Sequence, residues 1–259
     1  MKQKYLEAFS WIWNYFFRFS IPGLPSVEKR YVPVYARVMF PLTGAFAGAI
    51  IYFIYLLLRY IVGNTAAILF FVLTGVFLLD VSRKFRGFKL FCEWCGHRFQ
   101  GRSPEEALDF SAPEDWKEKD LTEQLLPFTI YLFRGILFGI LAWHHAAVWI
   151  VFALTGSFLV MAEMSSLRDE RTWNELIPVP DSVRMYHWFV AGLIFLVFGV
   201  FTAHPGGAVA AFLISWGMTK YGKYLHGLLE NMVTFKQLDY WGYFTELCLL
   251  LAGALLAGH

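Results

Sequence analysis

The chain has 259 residues, of which 58% are hydrophobic, 19% aromatic and only 16% charged, with a formal net charge of +2. Soluble domains average about 45–50% apolar and about 25% charged residues, so this balance excludes an ordinary water-soluble domain and a disordered chain. It also excludes an electrostatic nucleic-acid binder, and three cysteines cannot build a disulfide scaffold.

The remaining class is an all-α, polytopic membrane helical bundle forming one integral domain over residues 1–259. Its lead-in, residues 1–38, opens with an amphipathic pattern. Leu6, Phe9, Trp13, Phe16 and Phe17 share one helical face, and Lys4, Glu7, Ser10, Asn14 and Arg18 the other. That spacing predicts a helix lying in the membrane plane. Glu7 and Arg18 interrupt the apolar run, unlike a secretory signal.

Seven apolar stretches follow: Met39–Val62, Ala66–Leu79, Leu125–Trp143, Ala146–Met161, Trp188–Ala203, Ala208–Met218 and Tyr240–Ala257. A span needs about 20 residues, which the first, third and last approach or meet; the second and sixth are short. Seven spans are the expectation. All Lys and Arg except Arg59 and Arg134 fall in residues 1–38, 80–124, 162–187 and 219–239. Seven crossings put all four regions on one side. The positive-inside rule then makes the chain a multi-pass protein of the cell inner membrane with its large charged loops cytoplasmic.

Residues 81–124 form the largest of those loops. It begins with Arg83, Lys84, Arg86 and Lys89, a cluster suited to an anionic substrate or to anionic lipid headgroups. Cys92, Cys95 and His97 offer Zn²⁺ two thiolates and an imidazole, although no fourth ligand is evident. The alternative is a pair of reduced cysteines in an exposed loop. Ser103-Pro104-Glu105-Glu106 reads as a capping box opening a short helix through about Phe110.

Ionisable groups inside apolar runs are expensive and so are candidates for function. Asp80 closes the second stretch, beside Arg83, Lys84 and Arg86. Glu246 lies within the last stretch and Arg134 within the third, which makes Arg134 its natural counter-charge. Glu163, Glu230 and Asp239 lie at stretch ends, and His226 and Glu230 share a helix face.

Several motifs resemble those of cobalamin synthase, the adenosylcobinamide-GDP ribazoletransferase family. The aromatic opening ends in Phe17-Arg18-Phe19-Ser20-Ile21-Pro22. Phe40-Pro41-Leu42-Thr43-Gly44 with Gly48-Ala49 fits that family's first span. Leu73-Thr74-Gly75-Val76-Phe77-Leu78-Leu79-Asp80 lies in register with its acid-rich motif, and Arg102-Ser103-Pro104-Glu105-Glu106-Ala107-Leu108-Asp109 looks like its cytoplasmic helix. Glu246 keeps the place of a family Glu. The departures fall on the acids: Leu78 stands for the motif His, Lys84 and Gly87 for two Asp, and Thr234-Phe235-Lys236 for Thr-Gly-Asp.

The resemblance implies a membrane transferase acting on a nucleotide-activated, corrinoid-type substrate. Asp80 and Glu246 would be its catalytic candidates, with Asp80 a ligand to Mg²⁺. Arg83, Lys84, Arg86 and Arg102 would bind phosphate, and Arg134, Glu230 and Asp239 would be second-rank residues. The lost acids favour the alternative, a non-catalytic membrane subunit that works as a homo-oligomer or within a membrane protein complex. The lipid bilayer is the expected partner in either case, together with a small-molecule or nucleotide-linked substrate if the chain is an enzyme; no nucleic acid is expected.

Overall fold

The structure is a computed structural model that describes residues 2–17, 20–25, 35–83, 85–108, 121–165, 186–202, 204–229 and 233–257. Those residues form helices joined by turns, with no strand among them. Most residues of each apolar stretch read from the sequence lie in a helix; Ala146–Val148 and Thr202 fall in turns, and Ala203 is outside the described residues. Helix α1 is Lys2–Phe16 and α2 is Ala36–Val62. After Gly63, α3 (Asn64–Leu73) continues through a π-helical segment, Thr74–Leu78, into the short α4 (Leu79–Ser82). Then come α5 (Arg86–Phe99), α6 (Leu121–Trp143), α7 (Trp149–Met164), α8 (Tyr186–Phe201), α9 (Pro205–Leu229) and α10 (Phe235–Ala257).

Helix α7 is apolar all round, and it forms the core. Every one of its residues except Glu163 is buried. At about 1.5 Å per residue it is too short to cross a bilayer core comfortably, but its neighbours enclose it, so its surface is matched by protein. Helix α2 reaches it through a small-residue seam. A Cβ on Gly48 would stand 2.7 Å from Val151 Cα, and one on Gly44 would run into the Leu154 carbonyl. Two glycines four apart thus let the backbones of α2 and α7 touch, the packing device of membrane helices.

Four helices are long and apolar enough to cross a membrane: Ala36–Val62, Asn64–Ser82, Leu125–Trp143 and Lys236–Ala257. The second is longer than its apolar run suggests, because the π-helical segment carries the helix on to Ser82. Helices α7 and α8 are apolar but shorter. The length of α9 is ample, but Lys220, Lys223 and His226 occupy its last turns. Large apolar side chains coat the outside, among them Phe53, Leu57, Leu69, Phe128, Leu196 and Leu213. A coat this extensive is stable in lipid and not in water, so the chain is a membrane protein.

The N-terminal helix is present, but its aromatic face meets protein. Phe16 packs edge-on against Phe40 of α2 and Phe158 of α7, and Phe9 and Trp13 pack against Phe46. Ser10, assigned to the polar face by its spacing, is fully buried and donates to the Pro25 carbonyl at 2.6 Å. The described part of the short loop helix is a single turn, Glu106–Leu108, opened by the expected capping box; Asp109 and Phe110 lie outside the described residues. Ser103 N–H donates to Glu106 Oε2 at 2.9 Å, and Glu106 N–H donates to Ser103 Oγ at 3.3 Å.

Candidate functional site

The backbone between α3 and α5 sets up the most polar point of the interior. The Leu79 N–H donates to the Thr74 carbonyl, a bond spanning five residues rather than four. One extra residue in the turn changes which way the following side chains face, and such bulges are frequent at functional sites. Gly75 lies against the Phe138 ring, where a Cβ would come within 2.5 Å of a ring carbon. This close approach holds the π-helical segment to α6 one helical turn beyond Arg134. The chain then stops abruptly: Phe85 N–H donates to the Asp80 carbonyl at 2.8 Å, with Phe85 in the left-handed region at φ 55. A bulky residue there stores about 1–3 kcal/mol of strain, which the surrounding packing holds in place. Gly87 next lets α5 close on α10, since a Cβ there would be 2.8 Å from the Asp239 carbonyl oxygen.

Four charged side chains meet as a result. Arg134 Nη1 lies 2.6 Å from Asp80 Oδ2, and Arg134 Nη2 donates to Glu246 Oε1 at 2.5 Å. The other Glu246 oxygen, Oε2, accepts from Arg83 Nη1, also at 2.5 Å. Arg134 and Glu246 are fully buried and Asp80 is 2% exposed. The Arg134 guanidinium lies over the rings of Tyr243 and Phe138, with centroid distances of 5.2 and 5.7 Å. Two carboxylates and two guanidiniums cancel in charge, which is the condition for keeping ions this deep. The pairing expected of Arg134 with Glu246 is present, and Asp80 pairs with Arg134 rather than with Arg83 or Arg86.

The cluster is graded outward. The Arg83 side chain is 10% exposed and stacks over Phe158. The Arg86 side chain is 35% exposed, lies over Tyr15, and reaches Asp239 Oδ2 only loosely, at 3.9 Å. Arg102 does not join them. It is exposed beyond the far end of α5, and 14 helical residues span about 21 Å. Lys84 and Glu230 lie outside the described residues.

Among the described residues, no three His, Cys, Asp or Glu side chains are placed to share a metal ion. The centre does not fit Mg²⁺, because the guanidinium of Arg134 stands between the two carboxylates that would ligate it. Cys92 and Cys95 do not lie in an exposed loop. They sit half-buried on α5 and pack against a cluster that contains Phe88, Ile130, Tyr243 and Leu247. Burial pushes the Cys92 thiol up to about 12, helped by Cys95 and Asp80, and the Cys95 thiol up to about 11.

A second polar cluster went unread in the sequence. Glu163 Oε1 accepts from Trp188 Nε1 at 2.6 Å and contacts His187 Nε2 at 2.7 Å, while Oε2 accepts from Lys223 Nζ at 2.7 Å. One carboxylate therefore ties α7 to α8 and α9. A second capping box also escaped notice. Thr234 N–H donates to Gln237 Oε1 at 2.7 Å and Gln237 N–H to Thr234 Oγ1 at 3.3 Å, starting α10. The Thr-x-x-Gln spacing was its signal. His226 is engaged within the bundle, where its Nε2 accepts from Trp241 Nε1 at 3.0 Å.

No family model, no curated protein and no solved structure matches this chain.

Proposed function

We propose that the chain is a membrane transferase of the cobalamin-synthase type, acting at the cytoplasmic face on a nucleotide-activated, corrinoid-type substrate. One observation supports this reading above the others. The two acids singled out by the resemblance, Asp80 and Glu246, come from helices far apart in the chain and are both paired with Arg134. In this reading α1 lies along the membrane surface, and seven helices cross or half-cross the bilayer. The graded arginines face the cytoplasm, where Arg86 and then Arg83 receive the phosphate of the substrate. Asp80 and Glu246 hold Arg134 and Arg83 in position, and no step is assigned to a metal.

The test is binding of a free corrinoid and of a GDP-linked corrinoid to the purified full-length chain in lipid nanodiscs, with and without Mg²⁺. Expected is saturable binding of the GDP-linked compound. It should weaken about 10- to 100-fold in R86Q, the loss of one charge-assisted contact. Binding of neither compound contradicts the reading.

A second reading, a non-catalytic membrane subunit, has its own observation. Both oxygens of Glu246 and one oxygen of Asp80 already face guanidinium groups, an arrangement that suits a structural tie. On that reading D80N changes no turnover and leaves complex formation intact.

A further inference from the structure

The acid pair at the centre of the bundle has the makings of a divalent-cation site, yet its surroundings suit a different cation. Asp80 Oδ2 and Glu246 Oε1 lie 2.6 and 2.5 Å from the two terminal nitrogens of one guanidinium. The guanidinium lies over two ring faces, with the Tyr243 and Phe138 centroids 5.2 and 5.7 Å from Cζ. Flat, weakly hydrated guanidinium binds aromatic faces well. Mg²⁺ asks for the opposite: a near-octahedral set of oxygens, several of them water molecules, which ring faces cannot supply. Arg83 further occupies Glu246 Oε2, so an added divalent ion would meet two fixed positive groups and a carboxylate with no free oxygen. The four groups are neutral as they stand.

We propose that Arg134 is the built-in cation of this centre, permanently filling the place between Asp80 and Glu246 that a divalent ion would need, so that the intact chain works without a metal there. The inference rests on the geometry of the acid pair. It holds whichever substrate the chain takes.

Mn²⁺ titration followed by electron paramagnetic resonance tests it, using the full-length chain in nanodiscs of uncharged lipid. The wild type is expected to bind no Mn²⁺ at the centre. R134A leaves two buried carboxylates converging on an emptied space, and is expected to gain about one Mn²⁺ per chain. That gain should disappear in R134A/D80N. A folded R134A that gains no Mn²⁺ overturns the proposal. So does a wild type that binds Mn²⁺ and loses it in D80N, and this arm decides the question even if R134A does not assemble. Corrinoid binding is not measured in either arm, so failure here is separate from failure of the transferase reading.

Discussion

Arg83 Nη1 lies 2.5 Å from Glu246 Oε2, joining residues 163 positions apart. Arg83 is the first residue after α4, where the helix has already ended. Its backbone can turn because Phe85 adopts a left-handed conformation, and its side chain then reaches down into the bundle towards α10. The contact completes the neutral cluster and couples the loop after α4 to the interior.

The α2–α7 seam is a steric requirement. Gly44→Val or Gly48→Val would press a branched side chain into the backbone of α7, since even a Cβ at Gly48 stands 2.7 Å from Val151 Cα. Expected is a loss of at least about 1–3 kcal/mol in unfolding free energy, or failure to assemble. Gly217 has open space around its Cβ position. Gly217→Ala should be neutral or raise stability by up to about 1 kcal/mol, measured by thermal unfolding in the same lipid.

The two thiols of α5 should be chemically quiet. Thiolate is the reactive form, and burial raises Cys92 from its usual 9.0 to about 12 and Cys95 to about 11. Alkylation by iodoacetamide at pH 7.5 should be much slower in the folded chain than in the denatured chain. It should accelerate as pH approaches about 11. The sign for stability follows from the raised folded values. The protonated thiols stabilise the fold fully below pH 9.0, and that contribution is lost as pH rises from there through about 11 and about 12. Rapid labelling of the folded chain at pH 7.5 would count against the buried placement.

Glu163 is a tie between three helices. Glu163→Ala removes the acceptor used by Trp188, His187 and Lys223, and should cost about 1–3 kcal/mol in thermal unfolding. Lys223→Ala should cost about 0–1 kcal/mol, because the Lys223 side chain is 38% exposed and solvent screens its charge. Equal losses in the two variants would show that the Trp188 and His187 contacts contribute nothing.

Sequence periodicity made the helices legible because apolar runs of this length have one outlet in lipid. Arg134 and Glu246 were legible as partners for a similar reason: each is a lone charge in its apolar run, and a buried charge needs an opposite one. The exchange of partners around Asp80 was not legible. It depends on a π-helical turn and on Phe85, neither of which leaves a pattern in residue order. The environment of Cys92 and Cys95 was misread because the basic residues nearby suggested a solvated loop, while Gly87 in fact lets α5 dock on α10. Nothing in residue order marks His187 and Trp188 as partners of Glu163, because the contact joins the end of α7 to the start of α8 across the intervening loop.

The central claim is that Asp80 and Arg134 are buried as one charge-compensated unit, and a double-mutant cycle on that pair tests it most directly. The quantity measured is the unfolding free energy of R134M, D80N and R134M/D80N in nanodiscs. R134M alone leaves an excess buried carboxylate and should cost about 3–5 kcal/mol. Removing the Asp80 charge as well restores neutrality, so the double variant should be more stable than the sum of the single losses allows, by about 1–3 kcal/mol. Losses that simply add would contradict the claim, because two groups that do not share a buried contact have no reason to compensate one another.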